Sequence, residues 1–185
     1  ELPDLFESRI RLFEKLGRTS EAIQEKRRAT VVLKPAGSWR TANRENREAV
    51  AKADLLLDRA TYSLATQYDS LYATSQDRAH RKETMALYQA VIEQNPQSRE
   101  AYASRFRLAQ IALLGGESLQ AISYYDAVLR SGRFRDHFNE SLHGIVAARE
   151  RIVTARGGVA RIVARAFFRH PRRTATPPAD WCGRA

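Results

Sequence analysis

The chain has 185 residues, 43% hydrophobic and 28% charged, with a formal net charge of +10. This length suits one domain or two small ones, and the hydrophobic content excludes wholesale disorder. A single cysteine, Cys182, excludes an internal disulfide and a site of several thiolates, and no apolar run approaches the length of a membrane span.

The N-terminal half predicts helices separated by turn residues. Apolar residues at helical spacing lie on both sides of Gly17, and residues 35–38 contain the Pro and Gly that end the second stretch. Residues 43–72 place apolar side chains every three or four positions, which predicts one long helix. A further helix over about 81–94 should end before Pro96, because the residue preceding proline disfavours helix.

The C-terminal half continues in the same way. Glycines at 115–116 and at 132 end two more helical stretches, and residues 134–155 predict a helix that closes the last exposed face. No segment alternates apolar and polar residues as a half-buried strand would. We therefore predict an all-α chain of seven or eight helices. Because the chain begins at Glu1 without a basic and then apolar leader, we expect a mature form or a fragment.

Two segments of the chain, residues 16–23 and 115–122, repeat one pattern. Each contains a glycine that permits a tight turn, Gly17 or Gly116. Five residues later each has an alanine, Ala22 or Ala121, which lets two helices approach closely. The repeat therefore predicts two similar helical hairpins.

The repeated pattern resembles the tetratricopeptide family, over about residues 4–130. The last unit matches the family motif at Leu108, Ala109, Gly116, Ala121, Tyr125 and Val128. The first unit matches at Phe6, Phe13, Gly17, Ala22 and Ala29, with Lys26 in place of the aromatic residue. The middle unit matches at Tyr88, Val91 and Pro96, with Thr84 in place of the small residue. This resemblance implies an α-solenoid of antiparallel helix hairpins, whereas an irregular helical bundle is the alternative.

Residues 64–65 and 88–109 look most like repeat proteins of the bacterial cell envelope, of the outer-membrane assembly and Tol-associated type. That likeness implies a periplasmic or cell-envelope location. The cytoplasm remains an alternative.

The sequence offers little for catalysis. His137 and His143 are six residues apart, too far around a helix to share a ligand face. Asp54 and Asp58 lie four residues apart, but no histidine motif follows that would complete a metal site. No glycine-rich phosphate loop or nucleophile motif occurs. We therefore predict a non-enzyme without cofactor or metal.

The family resemblance implies a protein or peptide partner along a concave face formed by the first helix of each pair. The residues that would line this face are Arg11 and Glu14 in the first unit and Phe106, Gln110 and Leu113 in the last. They would form one charged end and one apolar end, within a larger assembly. The alternative is that Phe106 and Leu113 are buried against the next helix. Mispairing of similar hairpins could also produce a homo-oligomer.

The end of the chain is strongly basic. Residues 156–185 contain seven Arg and one Asp, a net charge of +6, which leaves +4 for residues 1–155. We predict a repeat domain over 1–155, a basic amphipathic helix over 156–173 and a flexible tail over 174–185. The candidate residues for binding an anionic surface are Arg161, Arg165, Arg169, Arg172 and Arg173.

This basic helix has three interpretations. It could cap the stack of hairpins, or dock on an anionic membrane or partner groove, or bind nucleic acid, the least favoured of the three. The alternative function is accordingly electrostatic binding to an anionic membrane or nucleic acid.

Overall fold

The structure, a computed structural model, describes the backbone of residues 1–169 and the side chains of residues 1–155. Within this part of the chain all regular structure is helical, which confirms the predicted all-α class. The eight helices are α1 (Leu2–Lys15), α2 (Thr19–Val32), α3 (Ser38–Ala42), α4 (Arg47–Ser75), α5 (Arg78–Gln94), α6 (Arg99–Leu114), α7 (Ser118–Arg130) and α8 (Phe138–Arg169).

The chain divides into two compact units, Glu1–Arg149 and Glu150–Ala185. Helix α8 begins in the first unit and runs without a break through residues 155 and 156, where the sequence predicted a boundary. The paired glycines 157 and 158 lie within this helix, where each costs about 1 kcal/mol relative to alanine. The helices predicted for 134–155 and 156–173 are therefore one helix as far as Arg169, and residues 170–173 of the second lie outside the described residues.

The glycines of the repeated pattern have the same conformation and the same hydrogen bonds. Gly17 and Gly116 both adopt left-handed backbone angles, with φ of 68° and 81°. The backbone N–H of the residue after each glycine donates a hydrogen bond to a carbonyl in the last turn of the preceding helix. These bonds are Arg18 N to Phe13 O at 2.9 Å and Glu117 N to Ala112 O at 2.9 Å. This is the Schellman motif, which closes both helices with the same turn.

The turn between α4 and α5 uses different residues. The non-glycine residue Gln76 takes the left-handed conformation, with φ of 53°, and ends α4. Asp77 then accepts a hydrogen bond from Ala79 N at 2.9 Å and so caps the start of α5. The chain thus makes a third hairpin without the glycine that marks the other two.

Three pairs of helices form hairpins, α1–α2 (the first), α4–α5 (the middle) and α6–α7 (the last). They pack in chain order within the first unit. Helix α2 packs on both α1 and α4, α5 on both α4 and α6, and α6 on α7. The second helix of each of the first two hairpins thus contacts the first helix of the next, which is a repeat-like all-α arrangement.

The N-terminal and C-terminal helices of the first unit have separate cores. The N-terminal core contains Phe6, Ile10, Ala29, Leu33, Ala53 and Leu56. The C-terminal core contains Tyr102, Phe106, Ala109, Ala112, Ala121, Tyr125, Val128 and Ile145. Because Ile145 belongs to α8, the start of that helix covers α6 and α7. None of the described helices is long and apolar enough to cross a membrane.

Candidate peptide-binding cavities

The N-terminal cavity, of about 210 Å³, lies between α1, α2 and α4 and has a charged wall. Its lining is Glu7, Ile10, Arg11, Glu14, Lys26, Leu56, Arg59, Ala60 and Ser63. Arg11 Nη2 lies 2.7 Å from Glu7 Oε1, and Lys26 Nζ lies 2.7 Å from Glu14 Oε1. Arg11 and Glu14, both predicted as partner-binding residues, therefore lie in one cavity, and both are already ion-paired.

The central cavity, of about 390 Å³, lies between α4, α6 and α7. Its lining is Asp69, Tyr72, Ala73, Gln76, Arg107, Gln110, Ile111, Leu113, Leu114 and Tyr125. Two of the predicted partner-binding residues, Gln110 and Leu113, belong to this wall. The surface combines aromatic and aliphatic side chains with one cation, Arg107.

An ion-pair network fixes Arg107 in the wall of the central cavity. Asp69 is 7% exposed, and its Oδ2 accepts hydrogen bonds from Arg107 Nε at 2.7 Å and from the Tyr88 hydroxyl at 3.0 Å. Arg107 also donates through Nη1 to Gln110 Oε1. The carboxylate, the phenol and the amide come from α4, α5 and α6. The network therefore joins the middle hairpin to the last one.

The network shifts the pKa values of its members. Burial alone would lower the pKa of Arg107, but the hydrogen bond and the charge of Asp69 outweigh it and raise that pKa. Burial raises the pKa of the Tyr88 hydroxyl well above its usual range, and the charge of Asp69 and their hydrogen bond raise it further. Arg107 is thus held as a cation and Tyr88 as a neutral donor.

Part of the Arg107 side chain remains available to a ligand in this cavity. A guanidinium has five N–H donors, of which the network uses three on Asp69 and Gln110. The Arg107 side chain is 41% exposed, so its remaining donors can reach a backbone carbonyl or a carboxylate of a ligand. Tyr72, Leu113 and Leu114 supply the accessible apolar surface that a bulky side chain needs.

Phe106 occupies the core rather than the wall of a cavity. It is 7% exposed, and its ring stacks on the His137 ring with centroids 4.1 Å apart. Its ring also meets the Tyr125 ring edge to face, at 6.0 Å. The structure thus corresponds to the buried alternative for Phe106, whereas Leu113 is half-buried and lines the central cavity.

The two sets of predicted groove residues do not meet in one place. The N-terminal cavity uses Leu56 to Ser63 of α4, and the central cavity uses Asp69 to Gln76. The 13 residues from Leu56 to Asp69 turn through about 220° net at 100° per residue, so the cavities lie on different sides of α4. Long helix α4 separates the two cavities instead of lining one continuous groove.

Sequence reasoning missed Asp69 and Arg107, which are 38 residues apart. The available signal is a carboxylate inside an apolar stripe, because Asp69 follows Ala65 by four positions and precedes Tyr72 by three. A buried carboxylate requires a partner, but the pattern does not say which one.

The predicted anionic-surface residues lie outside the described side chains. Arg161, Arg165 and Arg169 are on α8, of which only the backbone is described at these positions, and Arg172 and Arg173 lie beyond the described residues. Among the described residues, no group of three or more His, Cys, Asp or Glu side chains is placed to hold a metal ion.

No protein-family model matches the chain, and neither does any curated protein sequence with which it was compared.

Proposed function

We propose that the protein is a non-catalytic scaffold that binds a peptide or protein segment through the central cavity. The observation that carries this proposal is the fixed Arg107 guanidinium beside Tyr72 and Leu113 in a cavity of about 390 Å³. A bulky apolar side chain of the partner enters the cavity. Arg107 binds a carbonyl or carboxylate next to that side chain.

The fit to a peptide follows from how the cavity is prepared. Because Asp69 and Gln110 already hold Arg107 in one orientation, binding costs little side-chain entropy. Leu114, in the wall of the cavity, is 73% exposed and so carries the apolar surface outward from it. Exposed apolar side chains beside a cavity are typical of a protein-binding surface.

The wider proposal follows the family resemblance. We infer a tetratricopeptide-like solenoid of three hairpins, α1–α2, α4–α5 and α6–α7, which serves as part of a larger assembly in the cell envelope. The matching Schellman turns at Gly17 and Gly116 and the packing of each second helix on the next hairpin support this inference.

A peptide selection tests the central cavity. A random 12-residue peptide library is selected on the immobilised wild-type chain, and the enriched peptides are measured against Leu113→Arg and Leu12→Arg. Leu113→Arg places a long cation inside the cavity, so we expect an affinity loss of at least about tenfold. Leu12→Arg makes the same change at a 54% exposed position of α1 and is expected to leave binding unchanged.

The outcome that contradicts the proposal is equally clear. If the selected peptides bind the wild type and Leu113→Arg with equal affinity, their binding site lies outside the central cavity and the proposal is wrong. Circular dichroism of both variants shows whether each remains helical, so that unfolding is not mistaken for lost binding.

The second candidate is electrostatic binding through the basic part of α8. Its helical backbone continues to Arg169, which keeps Arg161, Arg165 and Arg169 at intervals of four on one helical face. Deletion of residues 156–185 should then abolish binding to phosphatidylglycerol vesicles, and raising the salt to about 0.5 M should abolish it in the intact chain. Vesicle binding that survives both changes would refute this candidate.

A further inference from the structure

A second surface of the first unit carries a different chemistry. A cavity of about 640 Å³, here called the arginine cavity, lies among α6, α7 and the chain segments before α6 and after α7. Three arginines line it, Arg105, Arg130 and Arg133, and no Asp or Glu belongs to its lining. It shares no residue with the central cavity.

Arg105 is the most buried of the three cations. Its Nη2 donates to the Pro96 carbonyl at 2.9 Å, and none of the ion pairs among the described residues includes it. Burial lowers the pKa of the Arg105 guanidinium, because the charged form loses solvation without gaining a counter-ion. A half-buried cation in this state gains from any anion that enters the cavity.

The other two arginines come from the end of α7. Gly132 adopts a left-handed conformation, with φ of 63°, and turns the chain so that Arg130 and Arg133 line the same cavity. Arg130 Nη2 lies 3.7 Å from Asp126 Oδ2, beyond hydrogen-bonding distance, and its side chain is 80% exposed. Arg133 lies over the Phe134 ring at 5.5 Å. Both guanidiniums thus retain donors for a ligand.

Two acidic residues lie close to the cavity lining along the chain, Asp126 beside Arg130 and Asp136 after Phe134. Asp136 Oδ2 accepts from Arg99 Nη2 at 3.0 Å, and neither of these residues lines the cavity. The wall adds the hydroxyl residues Ser98, Ser123 and Ser131. The Ser131 Oγ is shielded from solvent and has no hydrogen-bond partner among the described residues.

We propose that the arginine cavity binds a small phosphorylated molecule, with its phosphate groups between Arg105, Arg130 and Arg133. Guanidinium donors match the geometry of phosphate oxygens, and three of them offset more than one negative charge. The volume is within the range of about 300–1,000 Å³ that is usual for small-molecule sites. A concave site of this size admits a soluble molecule more readily than a flat bilayer.

Calorimetric titration of the full chain with inorganic pyrophosphate tests this proposal. We expect saturable binding at a 1:1 ratio. We also expect that Arg133→Gln, a change in an exposed loop that leaves the fold intact, weakens binding by about tenfold or more. Arg105→Gln should weaken it similarly. Arg44→Gln removes the same charge from an exposed arginine paired with Glu45, far from the cavity in sequence, and should leave the affinity unchanged.

Three results would overturn the proposal. One is no binding of pyrophosphate at about 1 mM. Another is equal binding by wild type and Arg133→Gln, which would place the anion elsewhere, for example on the basic C-terminal segment. The third is binding to phosphatidylglycerol vesicles without any binding to pyrophosphate, which would identify a membrane surface instead of a small-molecule site.

Discussion

The first and last hairpins have the same turn but differ in what they bury. Both turn at a left-handed glycine with the same hydrogen bonds, and both bury an alanine five residues later, Ala22 or Ala121. Four residues beyond that alanine the first hairpin buries Lys26, and the last buries Tyr125. The same position of the repeated pattern is thus ionic in the first hairpin and aromatic in the last.

In the first hairpin, the buried charges pair with side chains that remain exposed to solvent. Glu25 is 2% exposed and lies 3.2 Å from Arg9 Nε and 3.5 Å from Arg28 Nη1, both of which are exposed. Lys26 pairs with Glu14, which is 48% exposed, and donates to Ser63 Oγ at 2.8 Å. A buried charge whose partner stays solvated contributes little net stability.

In the last hairpin, the buried residues make contacts between aromatic rings. Tyr102, Phe106, Tyr125 and His137 form successive ring contacts with centroids 4.1 to 6.0 Å apart. Such pairs add about 0.5–1.5 kcal/mol each beyond the area they bury. We therefore expect the last hairpin to contribute more to stability than the first, although their turns are alike.

The largest expected effect is at Tyr125. Replacing this buried ring by alanine opens a cavity beside Phe106 and Ile145, so Tyr125→Ala should lower the free energy of unfolding by about 3–5 kcal/mol. Urea denaturation followed by circular dichroism measures the change. Tyr124→Ala, at the adjacent half-buried position, is the matched control and should cost clearly less. If Tyr125→Ala lowers the free energy of unfolding by less than about 1 kcal/mol, the aromatic core of the last hairpin is not the larger source of stability.

The next effect is at Gly144, where α8 approaches α7. A Cβ at this position would overlap the Tyr125 ring, so Gly144→Ala should cost about 1–3 kcal/mol despite the higher helix propensity of alanine. The same substitution in the Tyr125→Ala background should be neutral or stabilising, because the clashing ring is gone. A double-mutant cycle without such coupling would show that the two helices do not pack as described.

A smaller effect should appear at alkaline pH, through Tyr88. Its pKa is raised in the folded state, so the folded chain holds the proton more tightly than the unfolded chain. The contribution of Tyr88 to the free energy of unfolding is therefore fully present below about pH 10, the ordinary tyrosine pKa. It is lost as the pH rises above that value. No tyrosine precedes Tyr62, so this sensitivity belongs to the middle and last hairpins and not to the first.

Tyr88→Phe isolates that contribution. It should cost about 1 kcal/mol at neutral pH through the lost hydrogen bond to Asp69, and it should make the loss of stability above about pH 10 less steep. Part of the pH dependence should remain, because burial also raises the pKa of Tyr62 and of Tyr125. Urea midpoints measured from about pH 9 to 11 test this, and identical slopes for wild type and variant would disprove it.

The smallest effect is expected at Lys26. Lys26→Met keeps the length of the side chain and leaves Glu14 solvated, so the free energy of unfolding should change by less than about 1 kcal/mol. Thermal and urea unfolding both measure this change. A loss as large as that of Tyr125→Ala would remove the difference between the two hairpins.

Prediction from sequence succeeded where the signals are local. The glycine turns at 17 and 116, the long helix of α4 and the helix end before Pro96 depend on residues that are close together in the chain. The short helix α3 and the left-handed Gln76 turn were missed, because neither has a distinctive residue pattern. Helix α8 was predicted as two pieces because a glycine pair usually marks a turn.

The candidate sites were predicted only in part. Gln110 and Leu113 do line a cavity, and Arg11 and Glu14 line another, but one groove containing both pairs was not found. The sequence alone left the burial of Phe106 open, because the residues that cover it, His137 and Ile145, come from 31 or more positions later.

The sequence by itself determined the helical class, most helix ends and the two matching turns, since helix periodicity and glycine conformations act over a few residues. Only the tertiary structure decided which charges meet. Asp69 finds Arg107 across 38 residues, whereas Arg105, Arg130 and Arg133 gather in a cavity without an acid. Burial of a charge is favourable only with a counter-charge at short distance, and that distance is set by the packing of helices remote in the chain.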